Sequence, residues 1–127
     1  MNSLASTRYF NETPFWVSCF KGNLPVVTYM VEHVGSWGLY GQIIHQKTID
    51  DWSPLFAACY GGHLEVVKFL AEVIEVDPRE VNSLTQTPYW IACKMGHLSV
   101  VQYLALEARV DMERPSAAGV HPIDAAM

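Results

Sequence analysis

Three stretches of this chain repeat one another in register, and that constrains its fold more than any other feature. The window Ser53–Leu70 recurs as Thr87–Leu104, with half of the aligned positions identical. A third copy, Thr13–Met30, lies upstream. The step from Thr13 to Ser53 is longer than the step from Ser53 to Thr87, so a short stretch is inserted between the first two copies. A fourth start appears at His121-Pro122-Ile123-Asp124-Ala125-Ala126, one regular step beyond the third. Self-similarity at a fixed period marks a solenoid, in which each unit is one supersecondary element.

Each copy reads physically as a helix pair. Thr13, Ser53 and Thr87 stand where a helix begins, as N-cap residues whose hydroxyls accept an otherwise orphaned backbone N–H. Pro14, Pro54 and Pro88 follow at the first helical position, where a missing N–H has no consequence. A helix of about two turns then ends at Gly22, Gly62 or Gly96, the residue type that takes a left-handed turn without strain. Leu64, Val66, Val67 and Leu70, and likewise Leu98, Val100, Val101 and Leu104, recur at spacings that put one apolar face on a second helix. Pro25 falls in the first turn of its second helix, where it is tolerated. Neither helix is long enough to be stable alone in water. Stacking the pairs buries a continuous apolar seam, which takes about three units.

The string [Ser/Thr]-Pro-x-x-x-Ala-x-x-x-Gly-His-x-x-Val-Val-x-x-Leu resembles the ankyrin repeat, and the resemblance covers roughly Phe10 to Met127. It implies an all-α solenoid of stacked antiparallel helix pairs joined by turn-rich connections. The whole chain, 1–127, then forms a single domain. Its repeats span about 10–49 with an insertion near 34–48, 50–83 and 84–117, with a partial repeat over 118–127. Three departures from the family pattern stand out. The usual His after Thr-Pro-Leu is Trp16, Phe56, Trp90 and Asp124, so its hydrogen bonds must be lost or replaced. The usual Gly-Ala-Asp ending becomes Ile74-Glu75-Val76-Asp77-Pro78 and Ala108-Arg109-Val110-Asp111. The first connection is expanded, from about Val34 to Asp50.

Charge excludes some partners. The formal net charge is −5, and the eight Lys and Arg are scattered with no two adjacent. Nucleic acid demands clustered basic residues, and anionic membrane surfaces are disfavoured for the same reason. No stretch approaches the roughly 18 apolar residues that span a bilayer, and residues 1–15 lack the apolar run of a secretory signal. Three cysteines, an odd number, point to a reduced, intracellular protein, cytoplasmic by default with the nucleus left open.

The repeat also absorbs the residues that could suggest chemistry. Cys19, Cys59 and Cys93 occupy one repeat position, on helices expected about 8–10 Å apart. That exceeds the roughly 7 Å Cα limit of a disulfide, and the close spacing of a zinc site is absent. They read as small buried hydrophobes. His63 and His97 share the position after the turn glycine. A thiol–imidazole dyad with Cys59 or Cys93 is the alternative, but an active site is rarely built identically in consecutive units. In the family this His is a turn residue that bonds between units. Asp50, Asp51, Asp77, Asp111 and Glu113 fall in connections and read as solvated turn residues. No catalytic, cofactor or metal residue is assigned, and the chain is expected not to be an enzyme.

The resemblance implies that the residue before each Ser/Thr-Pro, and the two before each turn glycine, project onto a concave face. Here these are Glu12, Phe20 and Lys21; Trp52, Tyr60 and Gly61; Gln86, Lys94 and Met95. Aromatic residues with Met, edged by Lys and Glu, have the composition of a protein-binding surface. Trp16, Phe56 and Trp90 are expected in the seam. The insertion carries two further candidates, Trp37 and Tyr40, which either form a contact loop or fold back onto the stack. The function expected is a protein–protein interaction module that binds another protein through its concave face. The alternatives are a regulatory or targeting fragment of a larger enzyme or channel, favoured by the unfinished fourth copy, and a self-associating structural protein.

Overall fold

Each Ser/Thr-Pro step starts a helix through the same local bond. The hydroxyl oxygens of Thr13, Ser53 and Thr87 accept from the amides of Trp16, Phe56 and Trp90 at 3.1, 3.4 and 3.0 Å. The structure, a computed structural model, describes residues 13–34, 47–48, 50–108 and 119. Three first helices follow the caps: α1 (Pro14–Lys21), α3 (Pro54–Gly61) and α5 (Pro88–Met95). Gly22, Gly62 and Gly96 end them at φ 74°, 75° and 75°, the left-handed geometry that a β-carbon disfavours.

The second helices run antiparallel to the first. They are α2 (Leu24–Val34), α4 (Leu64–Lys68, continued by a wider turn over Phe69–Val73) and α6 (Leu98–Leu106). The wide turn has the Ile74 amide reaching back to the Phe69 carbonyl at 3.2 Å. It closes with the Val76 amide on the Leu70 carbonyl at 2.9 Å, which carries Val76 back into the core. Glu75 takes the left-handed conformation there, φ 64°, in place of the glycine the repeat pattern would supply.

The pairs stack in two layers. α1 packs on α3 and α3 on α5, while α2 packs on α4 and α4 on α6. Between the layers lie Phe15, Cys19, Leu55, Cys59, Val66, Val67, Leu70, Val100 and Leu104, all buried. Among the described residues there is no strand. One residue expected on the buried face is not there: Leu98 is 66% exposed, whereas its counterpart Leu64 packs half-buried against the core. Both open their helices at the same repeat position. Leu64 lies between neighbouring pairs, and Leu98 has a described pair on one side only.

Two tight turns precede α3 and α5, and they are copies. In the first, the Thr48 amide donates to the Trp52 carbonyl at 3.0 Å, and the Trp52 amide donates to Thr48 Oγ1 at 3.2 Å. In the second, the Asn82 amide donates to the Gln86 carbonyl at 3.0 Å, and Asn82 Oδ1 accepts from the amides of Leu84 and Gln86, both at 2.9 Å. Asp51 and Thr85 bend the chain at φ 62° and 60°. A bond from the Ser83 amide to the Asp50 carbonyl, 3.1 Å, ties one turn to the next. Glu12, Trp37 and Tyr40 lie outside the described residues, as do nearly all of the insertion and of the partial repeat.

Candidate protein-binding groove

The two rows of elements, first helices and tight turns, leave a groove of about 880 Å³ between them. One wall is made by the last turns of α1, α3 and α5, which present Phe20, Lys21, Tyr60, Lys94 and Met95. The other is made by the tight turns, with Thr48, Asp50, Trp52, Leu84 and Gln86. Trp16, Val17, Trp90 and Ile91 form the floor. Every sequence-predicted groove residue that is described, Gly61 apart, is therefore brought to one place: Phe20, Lys21, Trp52, Tyr60, Gln86, Lys94 and Met95. Gly61 adds no side chain to this wall; a β-carbon there would come within 2.6 Å of the His63 ring and of the Phe20 carbonyl oxygen.

The aromatic rings are continuous across units. Trp16 stacks on Phe20 with centroids 5.6 Å apart, and Phe20 stacks on Tyr60 at 5.7 Å. Tyr60 meets Trp52 edge to face at 5.5 Å, and Trp52 leans on buried Phe56 at 5.8 Å. These separations are those at which rings attract beyond simple burial. The Lys94 ammonium sits 5.5 Å from the Trp90 ring centroid, within cation–π range.

Trp16 resolves one departure from the repeat pattern. Its indole Nε1–H donates to the Trp52 carbonyl at 2.9 Å, a contact between residues far apart in the sequence. A hydrogen bond from this repeat position is thus kept, with indole in place of imidazole, and it ties α1 to the next unit's turn. Trp16 and Trp90, expected only in the seam, are buried there and also pave the groove floor. Asp50 and Leu84 were missed in the sequence. A signal was present: they stand one repeat period apart, each three positions before its Ser/Thr-Pro step, and so occupy one repeat position. Leu84 is the more exposed of the apolar lining residues, at 56%, against 37% for Tyr60 and 38% for Met95.

The potentially reactive groups are placed structurally. Cys19, Cys59 and Cys93 are free and buried. Burial pushes the Cys19 and Cys59 thiols far above the ordinary range, with the Glu80 charge adding to the effect at Cys59. Burial also raises Cys93. Such thiols are inert, because the thiolate is the nucleophile. His97 Nε2 donates to the Tyr60 carbonyl at 2.8 Å, a bond between units. Its ring rests against Gly62, and the His63 ring rests against Gly22 in the same way. Among the described residues, no three His, Cys, Asp or Glu come together as a metal site, and no helix is long and apolar enough to cross a membrane.

On the outer layer, Tyr103 Oη donates to Glu72 Oε2 at 2.6 Å, linking α6 to the wide turn after α4. Burial and then this carboxylate raise the phenol well above its ordinary range.

Comparison with known proteins agrees with this architecture. The family model described as ankyrin repeats (3 copies) matches residues 37–115, more than half of the chain. The helix pair Pro14–Val34 lies before that match and carries the same caps and turn glycine. The comparison with curated proteins finds no match.

Proposed function

The chain belongs to the ankyrin-repeat family, and from that premise we propose that it binds a partner protein through the groove between its first helices and its tight turns. Ankyrin repeats are in general protein-interaction modules. The observation that carries the reading is the open aromatic lining. Tyr60, Met95 and Leu84 expose apolar surface on both walls, above a floor of packed rings. Rigid aromatic anchors of this kind supply most of the binding energy at interfaces, because little side-chain freedom is lost when a partner covers them. The residues proposed to touch the partner are Phe20, Lys21, Trp52, Tyr60, Gln86, Lys94 and Met95, with Glu12, Trp37 and Tyr40 as further candidates.

The test is site-specific photocrosslinking in the native cell. A photoreactive side chain at Met95 is expected to capture a partner, and the same group at Leu106, exposed on α6, is expected not to. Tyr60→Ala should abolish the Met95 adduct while leaving the helical signal intact. Adducts from Leu106 alone would refute the groove reading.

A second reading, association through the end of the stack, draws on a different face. Leu98 is largely exposed, and a β-carbon at Gly96 would meet none of the described residues within 4 Å. Sedimentation over a concentration series separates the two, since groove binding leaves a lone chain monomeric.

A further inference from the structure

The charge of the described groove lining is opposite in sign to that of the chain. Acidic residues outnumber basic ones 13 to 8, yet among the described residues two lysines, Lys21 and Lys94, line the groove against one carboxylate, Asp50. Both lysines are exposed. Among the described residues the ion pair is Arg79 with Asp77, far along the chain from either lysine. The Lys94 ammonium sits over the Trp90 ring, and its side chain stays exposed to a partner.

The lysines also bracket the apolar surface. Lys21 belongs to the first unit and Lys94 to the third, with Tyr60 in the unit between them. Packed helices sit about 8–10 Å apart, so two steps along the stack separate the lysines by about 16–20 Å. An extended chain advances about 3.3 Å per residue and covers that distance in about five or six residues. Asp50 stands on the opposite wall, that of the tight turns. In an extended segment alternate side chains face opposite walls, so two carboxylates an even number of residues apart can both face the lysines and turn away from Asp50.

From this arrangement, which rests on the groove reading above, we infer that the partner presents an extended segment in which an apolar or aromatic anchor lies between two acidic residues about six positions apart, the even spacing that keeps both carboxylates on the lysine side. The anchor covers Tyr60 and Met95, and the carboxylates pair with Lys21 and Lys94. The lysines act as register pins. They reward one placement of the segment along the groove and repel a basic one, which is how charge sets specificity at an interface.

The test is panning of a phage-displayed random dodecapeptide library on the full chain, followed by affinity measurement on the enriched peptides. The expected consensus is an apolar residue flanked by Asp or Glu at the stated spacing. The double substitution K21E/K94E should weaken those peptides by about tenfold or more at low salt, and panning on that variant should enrich Lys or Arg at the same two positions. Enriched peptides with neutral or basic flanks that still lose binding to Tyr60→Ala would overturn the inference and leave the groove standing. No enrichment, or peptides that bind Tyr60→Ala unchanged, would overturn both.

Discussion

Gly62 and Gly96 end equivalent helices with the same φ of 75°, yet replacing them with alanine should have different consequences. A β-carbon in the left-handed conformation costs roughly 1–2 kcal/mol at either site. The unfolded chain loses freedom equally in the two variants, an offset of about 0.4–1 kcal/mol that cancels on comparison. At Gly96 none of the described residues lies within 4 Å of the new atom. At Gly62 the new atom falls 2.4 Å from His97 Nδ1, so the imidazole must swing away. That breaks its 2.8 Å bond to the Tyr60 carbonyl, a further loss of about 0.5–1.5 kcal/mol. Gly62→Ala should therefore be about 1 kcal/mol more destabilising than Gly96→Ala, read from urea unfolding followed by circular dichroism. At Gly22 a β-carbon would meet the His63 ring in the same way, so Gly22→Ala should also displace a histidine and exceed Gly96→Ala. In a His97→Ala background the excess at Gly62 should vanish. Equal losses at Gly62 and Gly96, within about 0.3 kcal/mol, would refute the idea that the turn histidine couples one unit to the next through the preceding glycine.

Three more outcomes follow from named contacts. Ser53 Oγ caps the Phe56 amide and also donates to the Glu80 carboxylate, so Ser53→Ala should cost about 2 kcal/mol against about 1 for the cap at Thr87; equal losses in urea unfolding would mean that the Glu80 bond contributes nothing. Cys19 and Cys59, with thiols raised by burial, should resist a thiol reagent until the stack opens. Their raised values stabilise the fold fully below the ordinary thiol range near about 8.5 relative to the stability at higher pH, and this contribution should be lost as pH rises through their folded values; labelling at the rate of a free thiol at neutral pH would contradict their burial. Asp77 is lowered chiefly by the Arg79 amide, then by the Arg79 side chain. Its contribution is present above about 3.9 and lost as pH falls through its lower folded value. Because Asp77 is well exposed, solvent keeps the effect small; an NMR titration that places it at or above the ordinary value would remove the assigned cause.

What could be read from the sequence was whatever depends on near neighbours in the chain. Thr13, Ser53 and Thr87 cap their helices through bonds to amides in the first turn, and Gly22, Gly62 and Gly96 end them. The repeat put Phe20, Tyr60 and Lys94 at one position, so their place on one wall was legible before any coordinates. The facing wall was less so. Asp50 and Leu84 reach the groove because the Asp50 carbonyl and the Ser83 amide tie successive turns together, a bond between units that are distant in the chain.

Burial divided positions that the repeat treats as equal. Leu64 and Leu98 are the same residue at the same step, and one packs while the other faces solvent. Gly62 and Gly96 share a conformation, and among the described residues a histidine covers only the first. The indole of Trp16 finds its acceptor in Trp52, a residue of the next unit. The sequence by itself determined the helix pair, its caps and the family, because those follow from hydrogen bonds within a few residues and from a repeating apolar pattern. Which copies are covered, which rings touch and where the groove opens was decided only by the stack, because desolvation depends on the unit alongside and not on the residues to either side.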